Sequence, residues 1–289
     1  MTTFELLEPE SVEEATDLLA RHGDEACIIA GGTALVIMLK NRLISPGYVV
    51  SLGKLDDLRY IYEETDETLR IGALTTIREI ERSPIVQARC PTLARACGQV
   101  GNVRVRHAAT VGGNLSEADY ASDPPAVLFA AQARVKASGP RGERDIPLTE
   151  FFKGFYETAL APDEVLVELI VPPQPPGTRS TYLRYLTRSS EDRPCLGVAA
   201  FVDVDDTGIC RDLRVVVGAV AETPQEVAAA EKLAIGQRLT DQLIQTIAEE
   251  YARSIDPLSD LRGSAWYRKQ MVRVFVRDAI QGALDDGKA

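Results

Sequence analysis

Histidine and cysteine are scarce in this chain. Two histidines, His22 and His107, and five cysteines, Cys27, Cys90, Cys97, Cys195 and Cys210, occur among 289 residues, with no Cys-x-x-Cys pair. A zinc set or a complete iron–sulfur ligand set needs several such side chains at close spacing, so neither can be assembled here. Long apolar runs are missing as well: none reaches the roughly 18 residues of a membrane span. The opening Met1-Thr2-Thr3-Phe4-Glu5 has no basic region leading into an apolar one, and the expected location is the cytoplasm. Positive charge is also in short supply. A net charge of −11 argues against nucleic acid or an anionic membrane as the main partner. An anionic ligand must then be held by local backbone dipoles and a few arginines. No internal repeat, low-complexity tract or nucleophile–base triad is visible.

What is present suits a soluble globular protein: hydrophobic residues make up 45% and charged residues 26%. The length predicts two or three compact units. Ser11-Val12-Glu13-Glu14 reads as a capping box opening a helix that ends near Gly23. Residues 26–30 and 48–52 read as short strands and 35–42 as a helix, giving a small β-α-β lobe. Residues 58–62 and 68–72 alternate like paired strands. Helices are expected at 77–81, 92–100 and 124–133, and strands at 134–137 and 164–171. Pro172-Pro173-Gln174-Pro175-Pro176-Gly177 is a stiff, helix-breaking spacer and a credible boundary. Beyond it, 181–186, 196–204 and 213–220 read as a three-stranded meander, followed by helices at 225–233, 240–254 and 264–284.

Two glycine-rich turns stand out, Ala30-Gly31-Gly32-Thr33-Ala34 and Thr110-Val111-Gly112-Gly113-Asn114. Each follows an apolar or β-branched run and precedes a plausible helix. Each offers backbone N–H groups with no Cβ in the way, flanked by hydroxyl or amide side chains, which suits a phosphate or a flavin edge. Two turns of matching chemistry point to a cofactor lying between two lobes, one turn on its pyrophosphate and the other nearer its redox ring.

With these turns go Leu115-Ser116-Glu117-Ala118-Asp119, Ser122-Asp123, residues 154–160 (Gly-Phe-Tyr-Glu-Thr-Ala-Leu), residues 218–224 (Gly-Ala-Val-Ala-Glu-Thr-Pro) and residues 261–268 (Leu-Arg-Gly-Ser-Ala-Trp-Tyr-Arg). In this order the blocks resemble the FAD-binding medium subunit of the molybdenum hydroxylases, the family of xanthine dehydrogenase and aerobic carbon monoxide dehydrogenase. The resemblance implies an α+β fold: a two-lobed FAD-binding domain of the PCMH type over residues 1–177, with lobes of about 1–57 and 58–177. A C-terminal α+β domain over 178–289, with a three-stranded antiparallel sheet and helices, would follow. It also implies a heterotrimer, paired into a dimer of heterotrimers. A large subunit with molybdopterin hydroxylates the substrate, a small subunit carries [2Fe–2S] clusters, and this chain holds FAD and passes electrons to a final acceptor. Substrate and acceptor are left open, since the substrate would be oxidised on another chain.

Carried over residue by residue, the resemblance puts Ala30, Gly31, Gly32, Thr33 and Ala34 on the diphosphate, aided by the N-terminus of the following helix. It puts Thr110, Gly112, Gly113 and Asn114 by the isoalloxazine or ribityl chain. Asp123 would accept from cofactor hydroxyls, or cap the helix that begins at Pro124. The backbone of Leu166 would meet the flavin while its side chain sits in a strand core. Arg184 would stand near the ring, where a cation favours the reduced form, or simply face solvent. Two departures are Tyr120, where relatives often carry proline, and Arg106-His107 in place of an Arg-Asn pair. Tyr120 could lie against the flavin or point to solvent. Arg104 and Arg106 read as alternating residues of an extended segment. His107 is the nearest candidate for covalent attachment, which is not expected. Two rival functions are a stand-alone flavin dehydrogenase or oxidase and a scaffold subunit without cofactor.

Overall fold

The computed structural model describes residues 3–285 and divides into two compact units. The first unit comprises Met1–Arg89, Asn102–Asp119 and Ala133–Pro172; the second comprises Cys90–Gly101, Tyr120–Gln132 and Pro173–Ala289. Sequence order and compact units therefore interleave, and the proline spacer marks one of the chain's crossings between them.

In the first unit, β1 (Glu5–Leu7), β2 (Ala26–Ile29) and β3 (Tyr48–Ser51) form a parallel sheet in the order β1-β3-β2. Helix α1 (Val12–His22) has half of the expected capping box: Ser11 Oγ accepts from Glu14 N–H, but the Glu14 carboxylate accepts from Glu10 N–H rather than from Ser11, and the helix ends at Gly23 with φ 52°. Its Ala15 and Leu19 pack with Val50, Leu52, Leu74, Val165 and Val167. Helix α2 (Leu35–Lys40) leaves the first glycine turn and is only six residues long. The second sheet is antiparallel, in the order β4-β5-β10-β6-β7. Its strands are β4 (Ile61–Glu63), β5 (Leu69–Gly72), β6 (Arg134–Gly139), β7 (Gly142–Pro147) and the fully buried β10 (Val165–Val171), which bulges between Leu166 and Glu168. Charged residues of β7 guard its exposed edge. A hairpin of β8 (Phe152–Gly154) and β9 (Glu157–Thr158) and five short helices complete the unit: α3 (Ile77–Arg82), α4 (Pro84–Arg89), α6 (Val103–Ala108), α7 (Val111–Glu117) and α9 (Leu148–Phe151).

The second unit is built on β11 (Arg179–Tyr185), β12 (Leu196–Val204) and β13 (Cys210–Gly218), the expected meander, with β14 (Gln225–Glu226) appended. Alternation in β12 and β13 serves two buried faces. Leu196, Val198, Ala200, Val215 and Val217 face α11 (Asp241–Ser254) and α12 (Ala265–Asp285). From the other register, Gly218 lies under Ala126 and Arg214 donates to Ala130 O at 2.7 Å, both on α8 (Pro124–Ala130). Helix α5 (Pro91–Gln99) lies beside α8 and β11, its Thr92 hydroxyl 2.7 Å from that of Ser180. Helices from the N-terminal half are recruited here because both carry more apolar surface than one face of a solvent-covered helix needs.

The helix expected over 225–233 does not form. Two of its residues pair with Val216 and Val217, and only one turn, α10 (Ala228–Glu231), is helical. The sheet edge decides this. Beyond the two-residue β14, the amide of Val215 has no strand to bond, and the Glu231 carboxylate takes its place at 2.7 Å.

Candidate functional site

The first turn runs from the end of β2 into α2. Gly32 has φ 69°, the left-handed value that lets successive amides turn toward one side. Among the described residues, the N–H groups of Gly31, Gly32, Thr33 and Ala34 donate no hydrogen bond to the protein, although all four residues are half-buried. Unpaired half-buried amides in series are costly unless something accepts from them. No side chain caps α2, and at six residues its dipole is small, so the individual amides rather than the helix supply the positive potential.

The second turn is different. It is the first turn of α7 itself, capped by Thr110, whose Oγ1 accepts from Gly113 N–H at 3.1 Å. Gly112 donates to Ala73 O at 2.9 Å, and Asn114 donates to Thr110 O at 2.9 Å. The expectation that main-chain amides of both turns are offered to a ligand is thus corrected: those of the second are already used. Its glycines serve close approach. A Cβ on Gly112 would fall 2.7 Å from the Ala73 Cβ, and one on Gly113 would fall 2.9 Å from Thr110 Oγ1 and 3.9 Å from Ala30.

The two turns are joined through Gly31. A Cβ there would sit 1.8 Å from the carbonyl oxygen of Ala108, at the end of α6. The six residues Val103–Ala108 are helical rather than extended, with Asn102 accepting from the Arg104 and Val105 amides. Arg106 accordingly turns inward to Glu81 at 2.9 Å, while Arg104 and His107 stay exposed. Leu166 lies at the bulge of β10, the strand on which α7 packs. The first unit thus brings together Ala30–Ala34, Thr110, Gly112–Asn114 and Leu166.

Asp123 and Arg184 meet in the second unit. Asp123 makes no helix-capping bond; its carboxylate accepts from Tyr182 Oη at 2.7 Å and lies 3.5 Å from Arg184 Nη1. Tyr182 and Arg184 share one face of β11, a period-2 pairing visible in the sequence but not used above. Arg184 is buried rather than solvent-facing. It donates to Gln99 O, to Ser190 O at 3.1 Å and to Asp192 O at 2.7 Å, and its Nε and the Gln99 Oε1 are buried without partners. Tyr120 is likewise engaged: its hydroxyl donates to Asp260 at 2.8 Å and accepts from Arg262 at 2.7 Å.

Burial pushes the Asp123 carboxyl up to about 6, against the pull of Arg184 and Tyr182. Burial also pushes Glu231 up to about 7. A raised carboxyl holds its proton more tightly folded than unfolded, so stability falls as pH climbs from the unfolded to the folded value. For Asp123 that window is 3.8 to about 6, worth about 3 kcal/mol; for Glu231 it is 4.5 to about 7. The second unit is therefore expected to melt at a higher temperature at pH 5 than at pH 7.5. Glu231→Gln, which still accepts from Val215, should flatten that slope. A wild-type melting temperature constant across this range would contradict the assignment.

Electrostatics supply a further signal that motif reading missed. Residues 26–55 and 82–116 contain no aspartate or glutamate, in a chain with 43. These two stretches carry the two glycine turns. No carboxylate lies within five residues of the unpaired amides along the chain. Amides without partners and the left-handed glycine together fit the diphosphate of a dinucleotide. Among the described residues, no group of acidic, histidine or cysteine side chains could hold a metal ion, and no helix is long and apolar enough to cross a membrane.

Residues 2–174 match the FAD binding domain in molybdopterin dehydrogenase, and residues 181–283 match the CO dehydrogenase flavoprotein C-terminal domain. The class so defined is a flavoprotein subunit of an oxidoreductase. The 6-hydroxypseudooxynicotine dehydrogenase complex subunit alpha of Paenarthrobacter nicotinovorans is 33% identical, over 98% of this chain and 95% of its own. The carbon monoxide dehydrogenase medium chain of Hydrogenophaga pseudoflava is 34% identical, over 97% and 96%. A solved structure of carbon monoxide dehydrogenase from that organism superposes with a TM-score of 0.93 at 35% identity, covering 97% of each chain. This chain belongs to the family of FAD-binding medium subunits of the molybdenum hydroxylases.

Proposed function

We propose that this chain is the electron-transferring FAD subunit of a heterotrimeric molybdenum hydroxylase. It receives electrons from [2Fe–2S] clusters of a small partner subunit and passes them to a final acceptor, while a large subunit with molybdopterin oxidises the substrate. The observation that carries the reading is the run of unpaired amides at Gly31–Ala34, with no metal-ligand set among the described residues.

Bound FAD supplies a carrier that accepts electrons one at a time and releases them singly or in pairs. The amides of Gly31, Gly32, Thr33 and Ala34, with the Thr33 hydroxyl, hold its diphosphate. Thr110, Gly112, Gly113 and Asn114 form the close wall of the first unit, contributing approach and side-chain polarity rather than main-chain donors. Leu166 completes that wall with backbone. Asp123 and Arg184 are cofactor-directed residues of the second unit; the Arg184 Nε is buried without a hydrogen-bond partner. No residue acts as general base or nucleophile, because electron transfer asks the protein only for position, potential and access. Names such as "complex subunit alpha" and "medium chain" among relatives support a multi-subunit assembly, and a dimer of heterotrimers is the expected form.

The test is purification of the chain with its native partners. FAD, iron and molybdenum should co-purify in constant ratio, and substrate should bleach the flavin absorbance only when all partners are present. Substrate-driven bleaching of the chain alone would indicate a stand-alone dehydrogenase, and a chain that takes up no FAD would indicate a scaffold.

A further inference from the structure

The first glycine turn rests on helix α6, and α6 has no core of its own. None of its six residues is buried, and a helix this short is not sustained by propensity. Its last carbonyl nevertheless closes directly on the turn: a Cβ on Gly31 would fall 1.8 Å from Ala108 O and 2.7 Å from the Ala108 carbonyl carbon. Whatever fixes α6 therefore also aims the unpaired amides of Gly31–Ala34.

Main-chain bonds fix where α6 ends. Ala109 O accepts from Ile77 N–H at 2.8 Å and Val111 N–H donates to Thr75 O at 2.9 Å, tying the chain beyond α6 to the start of α3. A tie at one end leaves the direction of the helix axis open, and a helix carbonyl points along that axis. A second point of attachment settles it. Further along α3, Glu81 Oε2 accepts from Arg106 Nε on α6 at 2.9 Å, while Glu81 Oε1 accepts from Arg78 Nη1 at 2.6 Å.

Helix α3 is a firm base for that point. Thr76 and Glu79 close a capping box at its start, and Ile77 and Ile80 are fully buried. The Arg106 and Glu81 side chains are only 14% and 20% exposed, so solvent and salt screen this pair less than a surface pair. Burial works to raise the Glu81 pKa, but the hydrogen bonds and charges of Arg78 and Arg106 outweigh it and hold it below the ordinary carboxylate value.

We propose that Arg106 and Glu81 are positioning residues for the cofactor's diphosphate: their ion pair sets the axis of α6, and the Ala108 carbonyl so placed sets the Gly31 turn. This rests on the reading above in which the Gly31–Ala34 amides hold that diphosphate. The Arg106 guanidinium is turned to Glu81 and acts through the turn rather than as a phosphate ligand. A direct electrostatic role would give the two residues opposite signs, because removing a carboxylate favours an anion while removing an arginine disfavours it. A shared strut gives them the same sign.

The experiment titrates FAD into the full chain, wild type and with Glu81→Leu, Arg106→Met, both together, or Arg106→Lys, following flavin fluorescence and the melting temperature of each apo-chain. Each of the first two should weaken FAD binding about tenfold. The double variant should bind no more weakly than either single one, since each breaks the same link. Arg106→Lys keeps the cation and should recover part of the loss. At saturating FAD the phosphorus NMR resonances of the bound diphosphate should shift in the single variants, a signature that a general loss of stability would not produce. If Arg106→Met does not fold, Glu81→Leu and Arg106→Lys carry the test. Wild-type or tighter binding by Glu81→Leu would overturn the proposal, as would losses that multiply in the double variant or phosphorus resonances that stay in place. Gly31→Ala, titrated in parallel, separates two failures. Undiminished FAD binding by that variant would sink the diphosphate assignment itself, whereas loss there with none in Glu81→Leu would sink only the positioning role.

Discussion

Gly31→Ala is expected to abolish FAD retention. The added methyl would lie 1.8 Å from Ala108 O, where real contacts stay beyond 3.0 Å, and the atom it meets is backbone rather than a side chain that can swing away. The first turn and α6 must therefore separate by more than an ångström, or α6 must unwind at its last carbonyl. Overpacking of this kind costs about 3 kcal/mol when the structure can yield, and more when it cannot. Every amide from Gly31 to Ala34 shifts with the turn, so the loss falls on all donors at once. A shift in binding free energy of about 3 kcal/mol corresponds to an affinity drop of about 100-fold. Flavin-to-protein absorbance after gel filtration and titration with FAD measure it. Gly47→Ala serves as the control in the same unit, since its nearest neighbours would be 3.8 Å away. Equal flavin content in the two variants would mean that the turn's position does not matter to binding.

The second large effect concerns Arg268, which is fully buried in the second unit. Its guanidinium donates to Cys195 O at 3.0 Å, Leu258 O at 2.9 Å and Asp260 Oδ1 at 2.7 Å. Arg268→Met keeps the apolar stem but leaves two carbonyls short of a donor and Asp260 without its buried cation. Breaking such a network from one side costs about 3–5 kcal/mol, which lowers the melting temperature by about 10 °C in a unit of this size. Arg268→Lys should recover only part, because one ammonium cannot reach three acceptors set in a plane. Burial works to raise the Asp260 pKa, but hydrogen bonds from the Arg262 amide, Tyr120 and Arg268 outweigh it and hold it down to about 2. A lowered carboxyl contributes stability above its unfolded value of 3.8 that is lost as pH falls toward 2. The gap between wild type and Arg268→Met should therefore narrow over that acid range. Melting curves at pH 7, 4 and 2.5 check both statements, and a variant as stable as wild type at pH 7 would refute them.

Local signals carried much of the fold. The Ser11 cap, the strands at 26–29 and 48–51, the meander of the C-terminal half and the long last helix all follow from side-chain period and capping chemistry, which act within a few residues. Readings failed where a cap or a distant group outweighed the local side-chain pattern. Residues 103–108 alternate Val and Arg like a strand, yet Asn102 caps them into a helix whose final carbonyl meets Gly31. Residues 225–231 have helical composition, but an unpaired edge amide on β13 draws Glu231 onto the sheet. Asp123 precedes two prolines in the manner of an N-cap, yet a tyrosine and an arginine on β11 claim its carboxylate.

By itself the sequence determined the family and the cofactor class. These depend on which residue types occur, and in what order, and no folding is needed to read them. Tertiary structure alone decided that the first glycine turn keeps its amides unpaired while the second gives its own to Ala73 and Thr110. Two turns of similar composition differ in this way because the second is capped locally by Thr110 and also meets the remote carbonyls of Thr75 and Ala73, and no local pattern encodes where those remote acceptors will stand.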